Sequence, residues 1–128
     1  MSYTALVVED EPNIVLSLQF ILRQMGFMVR VASDGEQALK AIDEFVPDIV
    51  LLDIMLPKQD GFHVCEAIRN NPSCQSLKII MLSAKSREAD REKALSLGAD
   101  EFITKPFSTR NLGETVKKLM GLPEKAGG

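Results

Sequence analysis

Four short apolar runs in this chain each end on a polar residue that could do chemistry. In chain order, the runs end at Glu9-Asp10, Asp53, Ser83 and Lys105. Continuous apolar runs bounded by turn signals predict parallel strands buried on both faces. Because ligands of α/β sheets bind outside the carboxyl ends of the strands, we expect these side chains to share one pocket. Three acids, a hydroxyl and a lysine suit the binding of a divalent cation and a phosphoryl group.

Strand and helix signals alternate five times along the chain. We predict strands at Tyr3–Val8, Met28–Ala32, Asp48–Leu52, Lys78–Leu82 and Glu101–Thr104. We predict helices at about Pro12–Met25, after Ser33, from Phe62 to Asn70, from after Ser86 to Gly98, and from Ser108. This alternation predicts a parallel sheet with right-handed crossovers and helices on both faces.

The second helix has the clearest boundary signals. Ser33-Asp34-Gly35-Glu36 has the spacing of a capping box, and Pro47 is expected to stop the helix. Between these signals, we expect Leu39, Ile42 and Phe45 to face the core.

Composition indicates an ordinary globular chain of 128 residues with a formal net charge of −3. We expect one domain over residues 1–122 and a flexible tail over 123–128. The charge gives no reason to expect binding to nucleic acid or a membrane surface. No apolar stretch approaches the ~20 residues that span a bilayer. We expect no signal peptide, because residues 1–4 lack its basic region and long apolar stretch. Cys65 and Cys74 lack metal-ligand spacing; they could form a disulfide or redox pair, but we expect free thiols and a cytoplasmic location.

Each polar strand end also has a simpler structural interpretation. Glu9-Asp10 could be a solvated pair favoured by the helix dipole, and Ser83 could cap a turn. Lys105 could be a surface lysine before a helix-start proline, and the sequence leaves the cis or trans state of Lys105-Pro106 open. Asp53 could be a turn acid, but its apolar flanks favour a partner or a metal, since an isolated buried charge is costly.

Six motifs in order make the chain resemble the receiver domain of a bacterial two-component response regulator, from about Tyr3 to Met120. The matching segments are 7–12 (VVEDEP), 51–57 (LLDIMLP), 60–61 (DG), 83–84 (SA), 98–100 (GAD) and 105–107 (KPF). The resemblance implies a flavodoxin-like (βα)5 fold, a doubly wound five-stranded parallel sheet of order 2-1-3-4-5.

The resemblance also implies a phosphoacceptor and a metal site. Asp53 would attack the phosphorus of a phosphohistidine on a partner kinase and form an acyl phosphate. Asp10, Asp53 and the Met55 backbone carbonyl would hold Mg²⁺, with Glu9 helping through water. Such a domain is not a conventional enzyme, because its chemistry is limited to its own phosphorylation and dephosphorylation.

By the same resemblance, Lys105 and Ser83 would contact phosphoryl oxygens, and the Ala84 backbone N–H would add a donor. Ser83 would move toward the phosphoryl group while Phe102, at the position of the family's switch aromatic, turns inward. The face formed by the fourth helix, fifth strand and fifth helix would then change. Phe102 has no hydroxyl, so we expect packing alone to transmit the change, unless Phe102 is only a core residue.

Two further positions are expected to tune the phosphoryl lifetime. Met55 is two residues past Asp53 and Lys85 is two past Ser83, so both should flank an attacking water. The histidine at position 63 lacks the neighbours of a phosphodonor histidine. The donor is therefore expected to be a sensor histidine kinase, a phosphotransfer protein or a small acyl phosphate.

Downstream, we expect an effector protein or an output domain outside this chain, with no direct nucleic-acid binding by the receiver itself. One branch of the family dimerises through the fourth helix, fifth strand and fifth helix and carries a winged-helix DNA-binding domain. Members of that branch usually have an acid where Asn111 stands and a base where Thr115 stands. We therefore expect a monomer or a weak phosphorylation-dependent dimer. Four charged residues could still pair across a dimer or could equally form a solvated face: Arg87, Arg91, Asp100 and Lys117.

Three other functions compete with a phosphorylated switch. A phosphorylation-independent pseudo-receiver is opposed by the presence of Asp10, Asp53, Ser83 and Lys105. A phosphatase of the haloacid-dehalogenase type needs an acid two residues past its nucleophile, where this chain has Met55. A flavin binder would offer donors in the first loop, which here is acidic.

Overall fold

The computed structural model describes residues 3–85 and 87–122, and the tail expected at 123–128 lies outside them. Five strands alternate with five helices. The strands are β1 (Thr4–Val8), β2 (Met28–Ala32), β3 (Ile49–Asp53), β4 (Lys78–Ser83) and β5 (Glu101–Thr104). The helices are α1 (Pro12–Gln24), α2 (Gly35–Glu44), α3 (Gly61–Arg69), α4 (Glu88–Ser96) and α5 (Thr109–Met120). A short 3-10 turn at Pro72–Cys74, which we did not predict, precedes β4.

The strands form one parallel sheet in the order β2-β1-β3-β4-β5, which confirms the predicted topology. Two apolar clusters cover its faces. One joins α1 and α5 to the sheet through residues such as Leu18 and Leu112. The other joins α2, α3 and α4 to the opposite face through residues such as Ile42 and Ile68. Full burial of each such side chain contributes about 1.5–3 kcal/mol, which fixes the helices against the sheet.

β3 and β4 each run one residue further than predicted, to Asp53 and Ser83. Both side chains are buried although both are polar. The strand ends therefore deliver these groups directly to the carboxyl edge of the sheet, where the pocket was expected.

The prediction that Phe45 faces the core is wrong. Its relative exposure is 50%, whereas Ile42 one turn earlier is buried. Helix α2 ends at Glu44, and Phe45 has extended backbone with φ −162°. The helical spacing that would turn Phe45 inward no longer applies there.

The cap of α2 lies one residue later than the predicted capping box. Asp34, not Ser33, is the N-cap, and its Oδ1 accepts a hydrogen bond from the Gln37 N–H at 2.8 Å. Gln37 Oε1 in turn accepts from the Ser33 N–H at 3.0 Å. The side chain that bonds back to the backbone before the helix is therefore Gln37 and not Glu36. It lies three residues after Asp34, which is the true N-cap.

Cys65 and Cys74 are free, as predicted, and both are buried. Burial raises the pKa of the Cys65 thiol to about 11, so it stays protonated at neutral pH. Among the described residues, no helix has the length and apolarity that a bilayer crossing requires.

Candidate functional site

Three carboxylates meet where β1 and β3 end. Glu9 and Asp10 follow β1, and Asp53 is the last residue of β3. One carboxylate oxygen from each lies within 4.8 Å of the others. The three acids line a cleft of about 670 Å³, together with Ala84 and Lys105. The sequence-based prediction of a shared acidic pocket matches this geometry.

Lys105, just after β5, places a positive charge beside two of the three acids. Its Nζ lies 3.0 Å from Glu9 Oε1 and 3.3 Å from Asp53 Oδ2. The Lys105 N–H donates to the Ser83 carbonyl oxygen at 2.6 Å, and the peptide bond to Pro106 is cis. The lysine is thus tied to the end of β4 while its ammonium group reaches the acids across the sheet.

Burial has the largest effect on the pKa of Asp53. Loss of solvent and the negative charge of Glu9 raise its pKa to about 6, while the charge of Lys105 and the Met55 N–H act in the opposite direction. Burial alone would lower the pKa of Lys105, but its hydrogen bond to Glu9 and the charge of Asp53 outweigh this effect and raise it. The cluster thus carries excess negative charge that one lysine does not fully neutralise.

A divalent cation fits this set of donors. Glu9 is 1% exposed; its Oε1 contacts Lys105 and its Oε2 accepts from the Glu11 N–H at 3.2 Å. Asp10 is exposed, and it lines the cleft together with the buried Asp53. Hard cations such as Mg²⁺ bind through one or two carboxylates together with water and phosphate. Asp10 and Asp53 match that requirement directly, and Glu9 supports them.

The loop after β4 presents Ala84 to the cleft and holds Ser83 back from it. Ser83 is 5% exposed, and its Oγ accepts a hydrogen bond from the Lys85 N–H at 3.1 Å. In this conformation the Ser83 hydroxyl therefore forms a hydrogen bond within its own loop. Ala84 is exposed and lines the cleft.

Met55 and Gly61 lie on either side of the loop that follows Asp53. The Met55 N–H donates to Asp53 Oδ1 at 3.3 Å, and its side chain is 70% exposed. Gly61 packs so closely on the end of β3 that a Cβ there would overlap the Asp53 carbonyl oxygen. A side chain at position 61 would push the loop away from the acids.

Phe102 is 7% exposed and packs in the cluster of α2, α3 and α4, so its ring already points inward. His63 is exposed on the first turn of α3, where its N–H donates to the capping Asp60 at 2.9 Å. His63 thus lies at the start of a helix, away from the acids of the cleft.

Asp100, for which dimer pairing and a solvated position were both left open, is paired within the chain. Its Oδ2 lies 2.8 Å from Arg69 Nη2 and also accepts from the Ile79 N–H at 2.8 Å. The α4–β5 turn brings the carboxylate beside the end of α3, which sequence spacing did not reveal.

The cleft also has an apolar side that the sequence analysis did not predict. It is lined by Ile14 of α1 and by Pro106 and Phe107 before α5. Phe107 belongs to one of the sequence motifs, but its place beside α1 depends on tertiary packing. The cleft is thus lined by apolar groups as well as by the acids.

Comparison with protein families gives a match to the response regulator receiver domain over residues 5–117. The chain is 45% identical over 120 residues to the alkaline phosphatase synthesis transcriptional regulatory protein PhoP of Bacillus subtilis. That alignment covers 94% of this chain and 49% of PhoP. The chain thus spans about half the length of this relative.

Solved structures agree with the sequence match. The BeF3-activated DrrB receiver domain superposes with a TM-score of 0.86 at 31% identity, covering 94% of this chain and 99% of that one. The receiver domain of the sensor histidine kinase PA1611 from Pseudomonas aeruginosa has a TM-score of 0.86 at 30% identity, with the same coverage. That structure has a magnesium ion coordinated in its active site cleft.

Proposed function

The chain belongs to the response regulator receiver domain family, and from this membership we propose that it is a phosphorylation-activated switch with Asp53 as phosphoacceptor. The observation that carries the proposal is the buried Asp53 carboxylate beside Glu9, Asp10 and the Lys105 ammonium group. A carboxylate oxygen of Asp53 attacks the phosphorus of a phosphohistidine, the P–N bond breaks, and the imidazole leaves. The product is an acyl phosphate on Asp53.

Mg²⁺ is the proposed cofactor, held by Asp10, Asp53 and the Met55 backbone carbonyl, with Glu9 acting through water. When bound, the cation neutralises phosphoryl oxygens and the negative charge of the acids, which is the main requirement of phosphoryl transfer. The excess negative charge of the cluster supports this assignment, as does the magnesium ion in the PA1611 receiver.

The phosphoryl group is expected to change the partners of the groups around it. Lys105 exchanges part of its contact with Asp53 for a phosphoryl oxygen, and the Ala84 N–H donates to another. Ser83 gives up its bond to the Lys85 N–H and turns its hydroxyl toward the phosphoryl group. Charge-assisted hydrogen bonds of this kind are stronger than the neutral one that Ser83 makes now.

The α4–β5–α5 surface is the proposed output of the switch. Phe102 in β5 lies three residues before Lys105, and it packs in the core cluster that includes α4. Movement of Ser83 loosens or tightens this packing, so Phe102 transmits the change without a hydrogen bond. Asp100 is tied to Arg69 at the far end of α4, which limits the movement to the end nearer the site.

The proposed partners are a sensor histidine kinase or phosphotransfer protein upstream, and an effector or output domain downstream. The relative PhoP is a transcriptional regulatory protein about twice as long as this chain. A comparable output for this domain would be controlled through its α4–β5–α5 surface, with no nucleic-acid contact by the receiver. We propose a cytoplasmic location and a monomer or weak phosphorylation-dependent dimer.

Beryllofluoride, a phosphoryl mimic, tests the proposed switch. Wild type and Asp53→Asn are titrated with it at saturating Mg²⁺ while backbone amide resonances are followed by NMR. We expect wild type to shift resonances at Ser83, Ala84 and Phe102, and Asp53→Asn to show no saturable shift. Equal shifts in both proteins, or shifts confined to other parts of the chain, would contradict the proposal.

A further inference from the structure

The loop after Asp53, which we call the acceptor loop (residues 54–60), packs directly on the start of α2. A Cβ at Gly35, the first residue of α2, would lie 2.8 Å from Gln59 Cβ and 3.2 Å from the Gln59 carbonyl oxygen. The loop closes where the Gly61 N–H donates to the Ile54 carbonyl oxygen at 2.7 Å. The loop is therefore confined between α2 and the end of β3.

Lys58 lies at the tip of the acceptor loop in an unfavourable backbone conformation. Its φ is 70°, in the left-handed region that a residue with a Cβ rarely adopts. Its Nζ lies 3.7 Å from Asp34 Oδ2 and 3.6 Å from Glu36 Oε2. Two acids at the start of α2 thus attract the one loop residue whose backbone would otherwise favour another conformation.

The start of α2, which carries both acids, is held in place by its cap and by core contacts. Asp34 is buried, and its other oxygen caps the helix through the Gln37 N–H. Ala38 and Ile42 fix the helix to the sheet through buried contacts. Because α2 is held in this way, the ion pairs restrict the loop more than the helix.

We propose that Lys58 is a positioning residue for the cation site. Its ion pairs with Asp34 and Glu36 hold the acceptor loop in the conformation that brings the Met55 carbonyl to the cation. The inference rests on the proposed function, since it assigns Met55 as a cation ligand. Lys58 itself touches neither the cation nor the phosphoryl group.

The first test is Mg²⁺ binding by isothermal titration calorimetry on the full chain. Lys58→Met keeps a side chain at position 58 and removes its charge, and we expect the Mg²⁺ Kd to rise about two- to fivefold, as the loss of largely exposed ion pairs allows. Lys58→Arg retains the ion pairs and is expected to restore wild-type binding. Lys40→Met is the matched control, because Lys40 lines the same groove beside α2.

A double-mutant cycle with Glu36→Gln tests the contact itself. If Lys58 acts through Glu36, the effect of Lys58→Met on the Mg²⁺ Kd is smaller in the Glu36→Gln background. Equal effects in both backgrounds would contradict a role for that ion pair. Asp34 is left unchanged, since its replacement would also remove the cap of α2.

Amide hydrogen exchange without Mg²⁺ provides a readout independent of the cation. The Gln59 N–H donates to the Pro57 carbonyl oxygen at 2.8 Å, and the Gly61 N–H also closes the loop. We expect both amides to exchange faster in Lys58→Met, while the Leu112 amide in α5 is unchanged. A merely global loss of stability would accelerate all three.

The outcomes separate the two proposals. Wild-type Kd and wild-type exchange in Lys58→Met would overturn the role of Lys58 alone. An equal rise of the Kd in Lys40→Met would also overturn it, because long-range charge would then explain the effect. Absence of Mg²⁺ binding by wild type would overturn the proposed function, and with it the role of Lys58 at the cation site.

Discussion

Lys105 and Glu9, 96 positions apart in sequence, form an ion pair at the carboxyl edge of the sheet with a separation of 3.0 Å. Glu9 is almost fully buried and the Lys105 side chain is 14% exposed. A charge in such surroundings is tolerated only with its partner, because desolvation of an unpaired ion is costly. The pair therefore holds the lysine beside Asp53 before any phosphoryl group arrives.

Replacing Lys105 is expected to slow phosphorylation strongly. Lys105→Met removes the ammonium group that would stabilise the developing charge on the phosphoryl oxygens, a loss of about 10²- to 10³-fold in rate. The rate of labelling by acetyl phosphate at saturating Mg²⁺ measures this. Lys118→Met, on exposed helix surface, is the control. A Lys105→Met rate equal to that of the control would contradict the assignment.

Asp53→Asn is expected to stabilise the cation-free protein at neutral pH. The folded-state pKa of Asp53 is raised to about 6 from 3.8, so the folded protein binds more protons than the unfolded chain between these values. Stability therefore falls as pH rises from about 4 to about 6, and the cost persists above that range. Two pKa units correspond to about 3 kcal/mol as an upper limit.

Urea unfolding in a chelator at several pH values measures this effect. We expect Asp53→Asn to be more stable than wild type by about 1–3 kcal/mol at pH 7.5 and nearly equal to it below pH 4. Asp43→Asn, an exposed acid of α2, should show no such dependence. A pH-independent difference between Asp53→Asn and wild type would disprove the electrostatic cause.

Mg²⁺ is expected to stabilise wild type and to lose most of this effect in Asp10→Asn. A ligand at 100 times its Kd stabilises the folded state by about 2.7 kcal/mol. Thermal unfolding with increasing Mg²⁺ shows the gain as a rise in Tm, with Asp43→Asn behaving as wild type. An Asp10→Asn protein with the full rise would place the cation elsewhere.

Arg69→Met is expected to destabilise the fold by about 2–4 kcal/mol. The Arg69 guanidinium donates to Asp100 Oδ2 and to the Gly98, Cys74 and Leu77 carbonyl oxygens, at 2.8–3.1 Å. Its loss leaves several partly buried acceptors without this donor. Urea unfolding at neutral pH measures the cost.

Arg110→Met is the matched control for that experiment. The Arg110 side chain is 89% exposed and pairs with Glu114 on the same helix face, a contact worth at most about 0.5 kcal/mol. Similar losses in the two variants would show that the Arg69 network contributes no more than a surface ion pair.

Met55→Asn is expected to speed hydrolysis of the acyl phosphate. The Met55 side chain is 70% exposed and two residues from Asp53, where an apolar group shields the phosphoryl group and a polar one can position water. The decay of phosphorylated protein after removal of the donor gives the rate. Met55→Leu keeps the apolar shield and should decay as wild type does; an unchanged rate in Met55→Asn would refute the idea.

The sequence predicted the fold and a shared cleft for Glu9, Asp10, Asp53 and Lys105, because both follow from short-range patterns. Apolar runs gave the strands, and parallel topology then placed Glu9, Asp10 and Asp53 at one edge. The direct Glu9–Lys105 pair was not predicted, because spacing along the chain does not encode a contact between distant strand ends. For the same reason the Arg69–Asp100 pair was not predicted, and Asp100 was left either to a dimer contact or to a solvated face.

Predictions from helical periodicity and capping patterns were wrong where the actual helix boundary differed from the predicted one by one or two residues. Phe45 was expected inside because periodicity was extended past Glu44, the last residue of α2. The role of Lys58 had no sequence signal, since it depends on a left-handed backbone and on acids of a different element. Such features are visible only once the acceptor loop is packed on α2.

The most direct test of the central claim is phosphate incorporation from acetyl phosphate, read by intact mass. Wild type is treated with and without Mg²⁺, beside Asp53→Asn under both conditions. We predict one phosphoryl group on wild type with Mg²⁺, little without it, and none on Asp53→Asn. Labelling that persists in the folded Asp53→Asn protein, or none on wild type with a cognate kinase also supplied, would contradict the assignment of Asp53 as phosphoacceptor.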